Sequence, residues 1–203
     1  MRFKLGFSGT HGTGKTTLVY GIAAALQRSG HNVAIVNETA RQTQFAINDE
    51  ACFLAEIDIL ARQIRDELDA EVRPVDFIIT DRTSMDVIAY TQLAEQTGTI
   101  EKGVADDMLP LATRWLQTYD KVFYIKPAFD IEEKITESHD YDHDDGERWA
   151  SYEAMKAIDD ILYNLYIDKT DSELTVIDSS CPLSERADIV LQLLLEAIKK
   201  VEK

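Results

Sequence analysis

A glycine-rich run near the start of the chain has the residue types and spacing that bind phosphate groups. Residues 9–16, Gly-Thr-His-Gly-Thr-Gly-Lys-Thr, match the pattern G-x-x-x-x-G-K-[ST] in full. The glycines of such a run let successive backbone N–H groups point at phosphate oxygens, and the helix that follows adds its partial positive charge. In this pattern the Lys15 amine contacts the β and γ phosphates, and the Thr16 hydroxyl ligates Mg²⁺. The run therefore predicts a site for a nucleoside triphosphate and its metal ion.

The run also lies between an apolar segment and an amphipathic one, which is the context that the pattern requires. His11 occupies a variable position, so we expect its backbone to matter more than its ring. The residues expected to contact the nucleotide are Gly9, His11, Gly12, Thr13, Gly14, Lys15, Thr16 and Thr17.

Two further groups of charged residues follow apolar segments. Asp81 and Arg82 come after residues 75–80, and Glu38 and Arg41 come after residues 32–36. Since the carboxyl ends of parallel strands meet at the ligand crevice, we expect these side chains near the phosphate-binding run. Asp81 can hold Mg²⁺ or a metal-bound water, and the fork of Arg82 suits a phosphate or a carboxylate. Glu38 can accept a proton from a substrate hydroxyl or anchor a base or sugar, and Arg41 can contact an anionic acceptor. The simpler alternatives are helix starts for the two acids and solvent exposure for the two arginines.

Strand-like and helix-like segments alternate along the chain, which is typical of a parallel sheet covered by helices. We expect strands at residues 3–8, 32–36, 75–80, 121–125 and 174–177. We expect helices at residues 15–29, 51–71, 84–96, 102–117, 130–137, 147–167 and 183–200. In the second helix, one side carries Phe53, Leu54, Ile57, Leu60, Ala61, Ile64 and Leu68. No repeat or Pro/Gly-rich boundary divides residues 1–203, so one domain is expected.

The composition excludes several classes of protein. Of the 203 residues, 45% are hydrophobic and 29% are charged, as in proteins with a buried core, and no apolar run approaches the ~18 residues of a membrane span. The first residues lack a signal-peptide pattern, and Cys52 and Cys181 make no disulfide framework, so we expect a cytoplasmic protein without membrane contact. The net charge of −16 leaves no basic stretch for nucleic-acid phosphates, so extended nucleic-acid binding is not expected.

Several of these segments resemble known families. Residues 7–18 resemble the phosphate loop of thymidylate-kinase-like enzymes, and Asp81-Arg82 followed by Ala89-Tyr90 resembles a segment after their third strand. Residues 37–41 and 145–148 are more similar to the AAA-family ATPase/kinase group that includes ribosylnicotinamide kinase domains. The resemblance implies a three-layer α/β P-loop NTPase/kinase fold with a five-stranded parallel sheet, helices on both faces and a mobile lid at about 138–150.

The resemblance also implies roles for individual residues. Asp81 would lie near Mg²⁺, Arg82 would contact the acceptor, and Glu38 would contact the acceptor or act as its general base. Arg148 would be a lid arginine that neutralises the transferring phosphoryl group together with Lys15 and Mg²⁺. The chain has Thr39 where thymidylate kinases usually have proline, and residues 138–147 hold five acids and no base. These departures weaken the thymidylate assignment more than the kinase assignment.

The expected function is transfer of the γ-phosphate of ATP, with Mg²⁺, to a small nucleotide acceptor. A (deoxy)nucleoside monophosphate is preferred, because Arg41 and Arg82 could clamp its phosphate. A nucleoside or ribosylnicotinamide-type hydroxyl is the alternative, with Glu38 as base. Other classes left open are an ATPase switch, with Gln42 or Gln44 positioning water, and a kinase of nucleic-acid 5′-hydroxyls or modified bases. The stretch His139–Asp145 is interpreted as a solvated lid rather than a metal site. A homodimer is possible, and the last helix either packs on the sheet or forms its interface.

Overall fold

Five short strands, made largely of apolar residues, form a parallel sheet in the order β2-β3-β1-β4-β5. This computed structural model describes residues 2–47, 51–127, 152–169 and 174–201. The strands are β1 (Phe3–Ser8), β2 (Val33–Val36), β3 (Phe77–Asp81), β4 (Lys121–Lys126) and β5 (Leu174–Asp178). Because all of them run the same way, the carboxyl ends of β1, β2 and β3 lie at one edge of the sheet.

Helices cover both faces of this sheet. They are α1 (Lys15–Arg28), α2 (Phe53–Glu71), α3 (Ser84–Thr97), α4 (Val104–Leu116), α5 (Tyr152–Lys169) and α6 (Leu183–Val201). These elements confirm the three-layer α/β fold, with boundaries within a few residues of those predicted. The helix predicted at 130–137, and residues 147–151 of the next one, lie outside the described residues. None of the helices in the described ranges is long and apolar enough to cross a membrane.

Side chains alternate between the two faces along each strand, as extended backbone requires. On one face, Leu5, Phe7 and Ile125 are buried together with the apolar sides of α1 and α6. On the other face, Val122 and Tyr124 belong to a core shared with α2, α3, α4 and α5. The last helix therefore packs on the sheet through Val190 and Leu194, which is one of the two arrangements expected for it.

Helix α2 turns much of its predicted apolar side outward. Phe53, Leu54, Ile57 and Leu68 are exposed, whereas Leu60 is buried. The side that faces the sheet carries three buried polar residues, Glu56, Gln63 and Glu67, among Ala55, Ile59, Leu60 and Ala70. The periodicity identified an amphipathic helix, but most of the apolar side that it revealed is exposed.

The polar side chains of α2 are buried with hydrogen-bond partners. The Glu67 carboxylate is bonded by the Lys4 amine at 2.7 Å, by the Trp115 indole N–H at 2.8 Å, and by the Tyr119 hydroxyl. Gln63 donates to the same carboxylate at 2.6 Å. The Lys4 amine also lies 4.6 Å from the centre of the Trp115 ring. A buried charge is tolerated when it is paired and fully bonded, so this cluster fixes α2 against β1 and α4.

Glu56 joins α2 to α3 as a carboxyl group that favours its protonated form. Its Oε2 lies 2.9 Å from the Thr91 hydroxyl oxygen, and that oxygen lies 2.8 Å from the Val87 carbonyl. One hydroxyl has one proton for two acceptors, but a protonated Glu56 can donate to Thr91 while Thr91 donates to Val87. Burial raises the pKa of Glu56 to about 7, although the Thr91 hydrogen bond opposes the rise.

This raised pKa predicts how stability changes with pH. Since the folded protein holds the proton more tightly than the unfolded chain, stability should fall between pH 4.5 and about 7 and then level off. Glu56→Gln cannot ionise, so it should remove this decline and add up to about 3 kcal/mol to the free energy of unfolding above pH 7.

Urea unfolding at a series of pH values measures both effects. Asp69→Asn, at an exposed position of the same helix, is the matched control and should leave the slope unchanged. A Glu56→Gln protein that is less stable than the parent at pH 8, with the same pH slope, would contradict the assignment.

Candidate active site

The glycine-rich run forms the loop between β1 and α1, and its backbone explains its glycines. Gly9, Gly12 and Gly14 have φ values of 141°, 73° and 79°, which side chains disfavour. A Cβ atom on Gly9 would also lie 2.5 Å from the Ile125 carbonyl oxygen. Gly14 is the residue before α1, so the amide groups of the loop and the start of the helix present partial positive charge together. This curled loop has the backbone geometry that suits phosphate oxygens.

The Lys15 amine lies inside this loop. It donates to the Thr10 carbonyl and lies 3.3 Å from the Thr13 hydroxyl. Burial and, to a smaller extent, the nearby charge of Arg82 lower the pKa of Lys15 to about 8, although the Asp86 and Asp81 carboxylates oppose the shift. An anion that enters the loop would therefore meet a poorly hydrated cation, where electrostatic attraction is strong.

Thr16 and Asp81 bring two oxygen ligands together where α1 begins and β3 ends. The Thr16 hydroxyl donates to Asp81 Oδ2 at 2.6 Å. Burial raises the pKa of Asp81, with the Thr16 hydrogen bond opposing the rise. Mg²⁺ favours one or two protein oxygens together with phosphate oxygens and water, and this pair fits that preference. Within the described ranges, no group of three or more His, Cys, Asp or Glu residues could hold a metal by itself.

Arg82 follows Asp81 in a backbone conformation that is rare for a residue with a side chain. Its φ is 91°, and its N–H donates to the Phe7 carbonyl at 2.9 Å, which extends the ladder between β1 and β3. Its guanidinium donates to Glu38 Oε1 at 2.6 Å and lies 3.6 Å from Asp86 Oδ1. It also lies over the Tyr90 ring, 4.9 Å from its centre, and donates to the Tyr90 hydroxyl. Such strain persists where several contacts fix it, and it is concentrated at functional sites.

Glu38 is contacted by both arginines of the expected acceptor site. Arg82 bonds one carboxylate oxygen, and the Arg41 guanidinium lies 3.3 Å from the other. Arg82 is buried, whereas the Arg41 side chain is 40% exposed and stands at the outside of the cluster. The structure thus brings together all three residues that the sequence predicted for the acceptor.

We call Glu38, Arg41, Arg82 and Tyr90 the acceptor cluster. Two contacts join it to the phosphate loop. The His11 ring nitrogen Nδ1 lies 3.3 Å from the Tyr90 hydroxyl, which in turn accepts from Arg82. The His11 ring is buried, so its side chain contributes more than its position in the pattern suggested. Asp86 makes the second link, since its Oδ1 accepts from the Gly9 N–H at 3.2 Å.

Asp86 was not predicted as a site residue. Its other oxygen accepts from the Thr83 N–H and hydroxyl at 2.8 and 2.9 Å, which is a capping box at the start of α3. The spacing Thr83-x-x-Asp86 signals that box in the sequence. The contacts of Asp86 with Gly9 and Arg82, however, depend on how β1 and β3 pair.

Gln63 and Arg186 are further residues that the sequence analysis missed. Gln63 accepts from the Thr39 hydroxyl at 3.2 Å, and its amide nitrogen lies 3.4 Å from the Arg82 carbonyl, so it supports the backbone behind the acceptor cluster. Arg186 of α6 donates to the Thr13 carbonyl at 2.8 Å and to the Ser179 carbonyl at 2.9 Å. It fixes the phosphate loop to the segment that follows β5.

The remaining residues named in the sequence analysis do not all lie in the described part of the chain. Thr17 lies on the exposed first turn of α1. Cys52 and Cys181 are free thiols. Arg148, the stretch His139–Asp145 and the predicted lid at 138–150 lie outside the described residues.

Comparison with known proteins agrees with this architecture. The chain shares 16% identity and a TM-score of 0.71 with the deoxyadenosine kinase from M. mycoides with dCMP and dCDP bound, over 96% of this chain and 100% of that one. A structure of deoxyadenosine kinase from the same organism with bound dATP gives 15% identity and a TM-score of 0.70, over 95% and 99% of the two chains.

Thymidylate kinase from Ehrlichia chaffeensis gives 16% identity and a TM-score of 0.63, over 95% and 98% of the two chains. These likenesses establish a shared fold. No curated protein matches the sequence. The sequence model of a family described as an AAA domain matches residues 4–186. Because that match spans most of the chain, this protein belongs to the AAA domain family.

Proposed function

We propose that the protein transfers the γ-phosphate of Mg-ATP to a hydroxyl group of a small nucleoside-like acceptor bound beside Glu38. The observation that carries this proposal is the junction of Asp81 and Arg82. Asp81 is bonded to Thr16 of the phosphate loop, and the next residue, Arg82, is paired with Glu38. Two adjacent residues thus connect the proposed phosphate and metal site to the proposed acceptor site. Phosphoryl transfer depends above all on such alignment.

Each residue of the site has a role in this reaction. Lys15 and the loop amides bind the β and γ phosphates. Thr16 and Asp81 would hold Mg²⁺, which would supply positive charge to offset that of the phosphates. Glu38 accepts the proton of the acceptor hydroxyl as its oxygen bonds to the γ-phosphorus. The bond from that phosphorus to the β–γ bridging oxygen breaks, and ADP leaves. We include Arg148 of the expected lid as a further cation for the phosphoryl group.

The charge balance around Glu38 supports a hydroxyl acceptor over the monophosphate preferred from the sequence. That preference treated Arg41 and Arg82 as a clamp for an anionic phosphate. Both guanidinium groups instead contact Glu38, and Arg82 also faces Asp86. Their positive charge is therefore largely compensated before any acceptor binds, which suits an uncharged hydroxyl better than a dianion. Two proteins of similar fold are named as a deoxyadenosine kinase and a thymidylate kinase, so their names point to a nucleoside and a nucleotide acceptor respectively, and our choice rests on the charge balance.

An ATPase switch is less well supported. Gln42, one of the two candidates for positioning water, lines a small cleft between β2 and the end of α2 together with Asp66, Asp69 and Arg73. The two functions also differ in their kinetics. A phosphotransferase should release ADP rapidly only when its acceptor is present, whereas an ATPase switch needs no acceptor.

An ADP-release assay with Mg-ATP and a panel of nucleosides, ribosylnicotinamide and nucleoside monophosphates tests the proposal. We expect turnover with a nucleoside-type hydroxyl, and we expect Glu38→Gln to lower kcat by about 10²- to 10⁴-fold with unchanged ATP affinity. Glu185→Gln, at an exposed position in the first turn of α6, should retain full activity.

The remaining outcomes of this assay identify the alternatives. Turnover only with monophosphates would contradict the hydroxyl acceptor. It would support the expectation that Arg41 and Arg82 bind the phosphate of a monophosphate acceptor. Hydrolysis of ATP at the same rate with and without every acceptor would contradict phosphoryl transfer and favour a switch.

Lys15→Ala should abolish turnover with every acceptor. The reason is that no other described side chain places an amine inside the phosphate loop. Equilibrium binding of a fluorescent ATP analogue should show a loss of affinity, while the thermal unfolding midpoint stays within a few degrees. Full activity of this variant would contradict the assignment of the loop.

Gln63→Met should weaken acceptor binding without affecting ATP. Methionine keeps the volume of Gln63 but loses the hydrogen bonds to Thr39 and Glu67 and the amide contact with the Arg82 carbonyl. We expect the KM for the acceptor to rise about tenfold, which corresponds to ~1.4 kcal/mol, with an unchanged KM for ATP.

Gln192→Met, on the exposed side of α6, is the matched control for this substitution. A change in both KM values together with a lower melting temperature would indicate that Gln63 only stabilises the fold.

A further inference from the structure

Helix α2 presents an unusual surface, because its apolar stripe points away from its own core. Apolar residues recur at three- and four-residue spacing along the outer side, from Leu54 through Ile57, Ala61, the partly buried Ile64 and Leu68 to Val72. The exposed fractions of the large side chains are 44% for Phe53, 55% for Leu54, 39% for Ile57, 50% for Leu68 and 85% for Val72, just past the helix end. Ala61, also exposed, lies at the middle of the stripe. An amphipathic helix normally buries such a stripe, so its exposure marks an interaction surface.

The stripe is large enough to form the centre of a protein interface. Five large apolar side chains, with exposed fractions from 39% to 85%, offer on the order of 400 Å² of apolar surface. A standard interface buries about 800 Å² per partner, with an apolar centre and a polar rim. The charged residues beside the stripe, Asp58, Arg62, Arg65 and Asp69, balance in sign, although the whole chain carries −16. Because these four charges cancel, this face repels a second copy of the acidic chain less than a net-negative surface would.

One pair of leucines in the stripe is placed symmetrically about Ala61. Leu54 lies seven residues before it and Leu68 seven residues after it. In an antiparallel pair of α2 helices related by a twofold axis at Ala61, Leu54 of one copy would meet Leu68 of the other. The smallest side chain would lie at the crossing point, where two helix backbones approach most closely.

The charges at the edge of the stripe fit the same arrangement. Asp58 lies three residues before Ala61, and Arg65 lies four residues after it, so each Asp58 would lie beside Arg65 of the second copy. Within one chain, Arg65 reaches Asp69 only at 3.8 Å, and its side chain is 77% exposed. Asp58 is already oriented by Arg62 at 2.7 Å and by the Thr43 hydroxyl at 2.7 Å. We propose that α2 pairs antiparallel with α2 of a second copy of this chain, through this apolar stripe and two Asp58–Arg65 contacts.

Sedimentation velocity over a range of protein concentrations tests the proposed pair. At physiological ionic strength, where charges are screened beyond about 8 Å, we expect reversible association to twice the chain mass at micromolar concentration. Leu54→Asp should shift the protein to the monomer. Leu195→Asp is the matched control, because Leu195 is also 55% exposed but lies on α6, the other predicted interface.

The outcomes separate the proposal from its alternatives. A parent protein that stays monomeric at all concentrations, or a dimer that Leu54→Asp leaves intact, would overturn it. A dimer that only Leu195→Asp dissociates would overturn it in favour of α6. Circular dichroism melts of both variants establish that the monomers are folded.

A charge exchange tests the antiparallel register itself. Arg65→Asp should weaken the dimer about tenfold or more, since it would place like charges together at two symmetric positions. Adding Asp58→Arg should restore the dimer, because each pair then regains opposite charges. Failure of the double variant to recover, while Leu54→Asp still dissociates the parent, would overturn the antiparallel register.

Discussion

The ion pair between Arg82 and Glu38 is the contact on which the geometry of the candidate site depends. Arg82 follows Asp81, whose carboxylate we propose as a Mg²⁺ ligand, and its φ of 91° is a conformation that only strong surrounding contacts can maintain. Its N–H continues the ladder of β3 with β1, and its guanidinium is fixed between Glu38, Asp86 and the Tyr90 ring. In the proposed reaction this backbone turn sets the distance between the phosphate loop and the proposed acceptor site, and phosphoryl transfer depends strongly on that alignment.

Helix α2 supports that turn at the expense of its own hydrophobic contacts. A helix that buries Gln63 and Glu67 gains less from the hydrophobic effect than one that buries its apolar stripe. In return, Glu67 is bonded by Lys4, Trp115 and Tyr119, and Gln63 reaches Thr39 and the Arg82 carbonyl. The polar side of α2 thus orders the acceptor cluster, and the apolar side is left for another surface. One choice of helix orientation explains both the support of the site and the exposed stripe.

Much of the fold and part of the site could be predicted from the sequence, because their signals are local. The loop of residues 9–16, the five strands and the acids at the ends of β2 and β3 follow from spacing and from the parallel pattern. Periodicity reveals that α2 has an apolar side, but not which side faces the sheet. The contacts of Gln63 and Arg186 join residues far apart in the chain, and no local pattern encodes them. The pairing of Arg41 and Arg82 with Glu38 changes the preferred acceptor for the same reason, since residue types alone do not reveal which charges compensate one another.

A double-mutant cycle on Glu38 and Arg82 tests most directly whether the two residues act as one unit. Glu38→Gln, Arg82→Met and the double variant would be compared by kcat/KM for the acceptor, with ATP saturating. If Arg82 acts by orienting Glu38, the double variant should be no slower than the slower single variant, with a coupling energy above ~1.4 kcal/mol. Losses that multiply in the double variant would show that the two residues act independently, and would contradict this account of the site.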